Sequence, residues 1–331
     1  MTNLVVQSFG KENEYKRAVF TILSFYAYCS SSPNETRVIL FTDKPNYFQC
    51  FLQNLPVEYV LLSSDKIRQM RGKIDFLHRM KIALIEEAFG MIDGNMLYAD
   101  SDTFFIADPS FLVRQVSSSK CYMHLLEHEF ESLRDLPLPA GKTFRAFVSL
   151  IESKSFSLTD GTTLQVKPRH VSWNAGVMML HPTHRRFIPD VYTLTDQFYP
   201  PTQNHACEQY AFSIILQENI EVIPCNEVIY HYWYRVKKQI IDLFLKDKIS
   251  PAWLKFPLDT RIAEVQTWTQ LLPNILDNHV LMVRDNAIQA FNKDNFLKAY
   301  RYSIRAWFKD PFEVDFIKDI LYHTKRLIKI Q

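Results

Sequence analysis

The sequence predicts an α/β fold, a mixed sheet covered by helices on both faces, followed by a C-terminal helical extension. Three observations predict it. Short apolar runs of strand length recur through the first 230 residues, helical patterns lie between them, and no convincing strand follows Lys238. Strands alternating with helices are what a sheet buried on both sides requires.

The strand runs are Leu4–Ser8, Arg37–Thr42, Glu58–Leu62, Asn95–Ala99, Lys120–Leu125, Val177–Leu180 and Glu221–Pro224. Between them, Tyr15–Cys29 carries Val19, Ile22, Leu23 and Tyr26 on one helical face, and Asp75–Phe89 repeats the pattern with Leu77, Met80, Leu84 and Ala88. From Glu129 to Arg169 the pattern gives way to proline, serine and threonine, with one helix expected over Lys142–Lys154. A polar insertion of that length in a compact domain is more often functional than idle, so a loop or lid is expected there. Beyond Lys238 the chain is helical in character, with breaks expected at Pro251, Pro257, Pro273 and Pro311. Ala287–Pro311 places small and aromatic residues at helix-hairpin spacing and resembles one tetratricopeptide-like unit. A single unit has no neighbours to bury its face, so a helical cap is expected rather than a docking array. The expected division is 1–238, with an insertion at 129–170, followed by 239–331.

Composition narrows the function. The chain has 331 residues, 47% apolar and 14% aromatic, enough hydrophobic surface to offset the entropy of ordering it. A net charge of +2 is too small to imply a polyanion as the main partner, so no nucleic acid is expected. The excess of eight Lys or Arg over four Asp or Glu from Lys298 to Gln331 leaves room for peripheral membrane contact through basic C-terminal helices, beside the simpler reading of a solvated helix face. Five cysteines without a C-x-x-C pair read as buried or free thiols in a reducing compartment. With no secretion-signal pattern and no long apolar run, a cytoplasmic protein is expected, at most peripheral at the inner membrane face. Only seven glycines are present, and none form a Gly-rich phosphate cradle.

Four motifs carry chemistry. An apolar run leads straight into Asp100-Ser101-Asp102, delivering two carboxylates at a strand end, where open α/β sheets bind ligands. Close carboxylates repel each other, and a hard divalent cation relieves that repulsion; the alternative is a pair of solvated turn aspartates. Asn174-Ala175-Gly176 opens a second apolar strand, where glycine permits close approach, though any turn before a buried strand could look so. Glu208-Gln209 begins an apolar helix and could equally be capping groups. His231, set among aromatics, is either a metal ligand or a packed core histidine.

Taken together, the order and spacing of these motifs resemble the retaining family 8 glycosyltransferases, the glycogenin and lipopolysaccharide galactosyltransferase type, over about residues 1–240. The resemblance implies a GT-A fold, a Rossmann-like mixed sheet that binds a nucleotide-diphospho-sugar. It implies Mn2+ or Mg2+ held by Asp100, Asp102 and His231, and a donor site of Tyr15 on uracil, Arg79 or Lys81, Ser101, Asn174, Ala175, Gly176, and Lys237 on the diphosphate. Glu208 and Gln209 would lie near the anomeric carbon. The chain departs from the family pattern at Tyr234, at Lys238-Gln239 and in having Glu208 for an aspartate. The implied reaction moves a hexose from a UDP-sugar, with retention, to a glycan, lipid-linked or protein acceptor that the 129–170 insertion would meet. Two alternatives stand beside it, a nucleotidyltransferase making nucleotide sugars and an inactive sugar-nucleotide-binding scaffold.

Overall fold

The computed structural model describes residues 2–31, 35–136 and 141–330. The chain opens as β1 (Thr2–Ser8), α1 (Glu12–Tyr28), β2 (Thr36–Thr42), α2 (Pro45–Leu52), β3 (Val57–Leu61), α3 (Ser64–Arg71), α4 (Arg79–Phe89), β4 (Met96–Ala99) and β5 (Thr103–Phe105). It continues through α5 (Ser110–Gln115), β6 (Lys120–Met123), β7 (Leu126–Glu129), α6 (Lys142–Ser153), β8 (Phe156–Ser157), β9 (Thr163–Leu164), β10 (Val171–Trp173) and β11 (Val177–Leu180). Then come α7 (Ile188–Thr202), α8 (Cys207–Asn219), β12 (Glu221–Pro224) and β13 (Ile229–His231), before the helices α9 (Arg235–Lys248), α10 (Leu258–Asn278), α11 (Val280–Asn292), α12 (Phe296–Lys309) and α13 (Val314–Ile330).

The seven apolar runs expected from sequence are the seven strands of one sheet, ordered β12-β6-β11-β4-β1-β2-β3. β1 pairs in parallel with β2 and β4, and β2 with β3, while β11 runs antiparallel to both β4 and β6. β12 closes the far edge parallel to β6. The mixed α/β fold expected from sequence is therefore the fold observed. The central strands are buried on both faces, with Leu4, Val5, Val6 and Leu97 fully enclosed, which is why they read as unbroken apolar runs. Three short antiparallel pairs, β7 with β10, β5 with β13 and β8 with β9, stand outside this sheet.

Helix starts differ from expectation for local reasons. Asp75 adopts a left-handed conformation, φ 50°, so α4 starts only at Arg79. Pro273 does not end a helix but lies inside α10, whose Leu272 and Leu276 are fully buried; burial there outweighs a proline cost of roughly 3 kcal/mol. Phe147 of α6 sits 4.5 Å from the Tyr210 ring and 5.2 Å from that of Phe198, which ties α6 to α8 and α7. Residues 137–140 of the insertion lie outside the described residues.

The chain folds as two compact units. One runs to His231 and takes back Pro257–Val265; the other comprises Tyr232–Phe256 and the chain from Gln266 onward. In the second unit α11 and α12 form the expected hairpin, turning at Asp294 with φ 54° and capped by Asn295, whose side chain accepts from the Lys298 amide. Ala287, Ala290, Ala299 and Ala306 let its helices approach, around Val283, Phe291 and Phe316. Among the described residues no helix is long and apolar enough to cross a membrane. All five cysteines are free.

Candidate functional site

The carboxyl ends of β1, β2, β4 and β6 share one rim of the sheet, and Asp100 leaves β4 there with its amide bonded to the Gly176 carbonyl at 2.7 Å. The turn that follows is stitched down. Thr103 Oγ1 donates to the Asp100 carbonyl at 2.9 Å, and Thr21 Oγ1 of α1 reaches the carbonyls of Ser101 and Thr103 at 2.9 and 2.8 Å. β5 then pairs antiparallel with β13 in a register that sets His231 opposite Thr103, beside Asp102. Ligand atoms of Asp100, Asp102 and His231 consequently lie within 4.8 Å of one another, with His231 Nε2 at 3.3 Å from Asp102 Oδ1. Asp102 and His231 are both buried, 5% and 6% exposed, so the aspartates are not a solvated turn.

The imidazole is oriented through a second residue. Asn174 Nδ2 donates to Glu127 Oε1 at 2.8 Å, which leaves Asn174 Oδ1 facing His231 Nδ1 at 2.8 Å. That oxygen also accepts from the Gly176 amide at 3.0 Å. An amide oxygen can only accept, so Nδ1 carries a hydrogen, and Nε2 is the ring nitrogen turned toward Asp102. Metal-ligating histidines are characteristically held this way by a partner on the other ring nitrogen. His124 packs edge-on to the His231 ring, with centroids 5.4 Å apart. Burial, with His231 beside it, holds His124 down at about 3, so it remains neutral.

Lys81 of α4 lies beneath the carboxylates. Its Nζ is 3.1 Å from Asp100 Oδ2, 3.2 Å from Glu208 Oε1 and 3.2 Å from the Ala175 carbonyl. Burial works against the ammonium, but Asp100 and Glu208 more than offset it and hold its pKa above the usual lysine value. The Tyr98 hydroxyl donates to the other Asp100 oxygen, and its own pKa is pushed up by burial and by that carboxylate. Two carboxylates and an imidazole suit a divalent cation by donor chemistry, and the closeness of their ligand atoms fits a ligand role. The residues present therefore fit a bound metal.

The structure gives the other sequence-derived candidates varied surroundings. Gln209 is engaged at both ends of its amide: Oε1 accepts from the Ala175 amide at 3.2 Å, and Nε2 donates to Glu127 Oε2 at 2.7 Å and Ser172 Oγ at 3.0 Å. Ser101 donates to Glu14 at 2.9 Å. Tyr15 is buried, its hydroxyl 2.9 Å from Asp43 Oδ1 and its ring packed on Tyr47. Burial, then Asp43, raises the Tyr15 pKa to about 12. Arg79 forms a bidentate pair with Asp196 of α7 at 2.7 and 3.1 Å and lies over the Tyr192 ring, sharing no partner with Asp100. Lys237 belongs to the second unit, half-buried on the first turn of α9.

Sequence reasoning missed Glu127 and Asp43. Glu127 anchors both Asn174 and Gln209. Asp43, just past β2, accepts from Tyr15 and from the Gly10 amide at 3.2 Å. An acid directly after a strand run was a visible signal for Asp43; Glu127 sits in Leu-Glu-His-Glu, which carries no apolar run to mark a strand.

No protein-family model matches the chain, and no curated protein does. Among solved structures, mouse xyloside xylosyltransferase 1 is similar at 10% identity and a TM-score of 0.45, over 68% of this chain and 84% of that one. The galactosyltransferase LgtC, solved with donor and acceptor sugar analogues, is similar at 11% identity and a TM-score of 0.46, over 80% of this chain and 95% of its own. GlyE, a glycosyltransferase of Streptococcus pneumoniae, is similar at 10% identity and a TM-score of 0.45, over 81% and 64%. At these identities the likeness is one of fold, shared with solved glycosyltransferases.

Proposed function

We propose that this chain is a metal-dependent glycosyltransferase that moves a hexose from a nucleotide-diphosphate sugar, UDP favoured, to an acceptor with retention of configuration. The observation that carries the reading is the meeting of Asp100, Asp102 and His231 at the sheet rim, with the His231 ring turned by Asn174. Bound there, Mn2+ or Mg2+ would neutralise charge building on the departing nucleoside diphosphate.

The chain's own groups divide the remaining work. Lys81 and Tyr98 fix the Asp100 carboxylate, and the buried ammonium adds positive charge beneath the diphosphate site. Tyr15, on α1, and Asp43, just past β2, serve the nucleoside end. Ala175 and Gly176 lie under the sugar, with Glu208 and Gln209 beside its anomeric carbon. The insertion meets the acceptor, a glycan, lipid-linked or protein hydroxyl. The compartment proposed with this reading is the cytoplasm, where nucleotide sugars are made.

The test is release of nucleoside diphosphate from a panel of uridine, guanosine and thymidine diphosphate sugars, with Mn2+, with Mg2+ and with chelator. Slow hydrolysis of one donor, abolished by chelator and giving a sugar of unchanged anomeric configuration, is the expected result. Nucleotide binding without turnover of any donor would leave a sugar-nucleotide-binding scaffold instead. Release of pyrophosphate from a nucleoside triphosphate and a sugar phosphate would make the chain a nucleotidyltransferase.

A further inference from the structure

The second unit carries a surface that the reaction does not use. Leu297, Ile304 and Phe308 of α12 are spaced seven and four residues apart, so they align along one side of the helix. That side is opposite the buried Ala299, Ser303 and Ala306, and it faces solvent: Phe308 is 76% exposed and Leu297 69%. Trp307 flanks the stripe, and Phe312, 87% exposed, lies just beyond the helix end. Large aromatics left in water at this density mark an interaction surface rather than chance exposure.

The charges beside the stripe identify the partner. Lys298, Arg301, Arg305 and Lys309 are exposed along its other flank, and α12 contains no aspartate or glutamate from Phe296 to Lys309. The two acids that follow do not neutralise them, because Arg284 of α11 holds Asp310 at 2.7 Å and Glu313 at 3.5 Å. A second copy docked antiparallel on this stripe by a two-fold axis would set like charges against like. A surface of anionic lipid instead accepts apolar side chains between its headgroups and places negative charge beside the cations, with tryptophan suited to the boundary.

We infer that the outer face of α12 docks the protein onto anionic lipid bilayers, with Leu297, Ile304, Trp307 and Phe308 entering the interface and the four cations on the headgroups. The inference is independent of the glycosyl-transfer reading, because binding is measured without nucleotide, metal or acceptor.

Full-length protein is sedimented with vesicles of phosphatidylcholine, with and without phosphatidylglycerol, at low and at high salt. Binding should require phosphatidylglycerol and weaken in high salt. The double variant Ile304→Ser/Phe308→Ser should bind at least about tenfold more weakly, and Arg301→Glu/Arg305→Glu should lose the preference for phosphatidylglycerol. Should either double variant fold poorly, a reading on the folded parent decides: bromine-labelled acyl chains should quench Trp307 fluorescence, taken as the difference from Trp307→Phe. Equal binding to neutral vesicles, no binding to either, or no quenching of Trp307 would overturn the inference. So would a lipid-independent dimer that Ile304→Ser/Phe308→Ser dissociates, or capture of an acidic amphipathic peptide with no vesicle binding.

Discussion

Gly176 lies so close beneath the His231 imidazole that a methyl group built on it would come within 2.0 Å of Cε1. The glycine is there for the ring, not for backbone freedom. Gly176→Ala should displace the imidazole and lower manganese affinity by roughly 10–100-fold, the usual effect of disturbing a ligand's support. Isothermal titration with Mn2+ measures it; an unchanged affinity would remove His231 from the ligand set.

Asp102→Asn should abolish metal-stimulated turnover while leaving the fold intact, because the side chain faces His231 rather than the apolar core. Its loss of metal affinity should exceed the roughly 10–100-fold expected from losing a ligand's hydrogen-bonded partner. Turnover at the parent rate with metal still required would contradict the assignment.

Asn174→Ala removes the acceptor opposite His231 Nδ1 and should weaken Mn2+ binding by roughly 10–100-fold. Glu127→Gln should follow it more mildly, since a glutamine can still accept from Asn174 Nδ2 but can no longer offer carboxylate oxygens to both Asn174 and Gln209. A variant ordering in which Glu127→Gln costs more than Asn174→Ala would place Glu127 on substrate rather than behind His231.

How much of this was legible in the sequence depends on what each element buries. The five inner sheet strands were readable because both faces are covered, forcing consecutive apolar residues, and the partly exposed edges β3 and β12 through their Val and Ile content. β7 was not, since it pairs only with β10 and keeps polar side chains, and Glu127 went unseen with it. Arg79 and Lys81 show a different limit. Two residues apart on a helix point about 200° away from each other, so only one can serve Asp100. The sequence does not say which; the structure turns Lys81 to Asp100 and Arg79 to Asp196. The close fit of Gly176 to His231, 55 residues on, is a contact that no local pattern encodes.

Lys81→Met should cost stability as well as activity. It would leave the buried Glu208 and the partly buried Asp100 without their shared cation, a change that typically costs about 3–5 kcal/mol. Urea denaturation measures it; a variant as stable as the parent would mean that the carboxylates are balanced by some other charge.

Acid should destabilise the fold from the histidines inward. His124 is held at about 3 and His184 at about 4, in both cases chiefly by burial, against about 6.5 in the unfolded chain. Both folded pKa values are depressed, so the neutral forms are without penalty above about pH 6.5. As pH falls toward 4 the unfolded state takes up protons first, and stability drops by roughly 1.4 kcal/mol per pH unit for each histidine. Urea midpoints at about pH 7 and about pH 5 test this; equal midpoints would show that the two rings protonate while still folded.

The reversed direction of β11 has a consequence for how the site is assembled. Its neighbours β4 and β6 deliver to the rim the residues that leave them, Asp100 and His124, whereas β11 delivers the residues that precede it, Asn174 and Gly176. Aligned with its neighbours, the same strand would carry that pair to the opposite edge, about 13 Å away at roughly 3.3 Å per residue. A single about-turn in the weave thus lets an entrance loop and two exit loops converge, and a rewired chain with every strand aligned would keep the apolar interior yet part Asn174 and Gly176 from the imidazole they position.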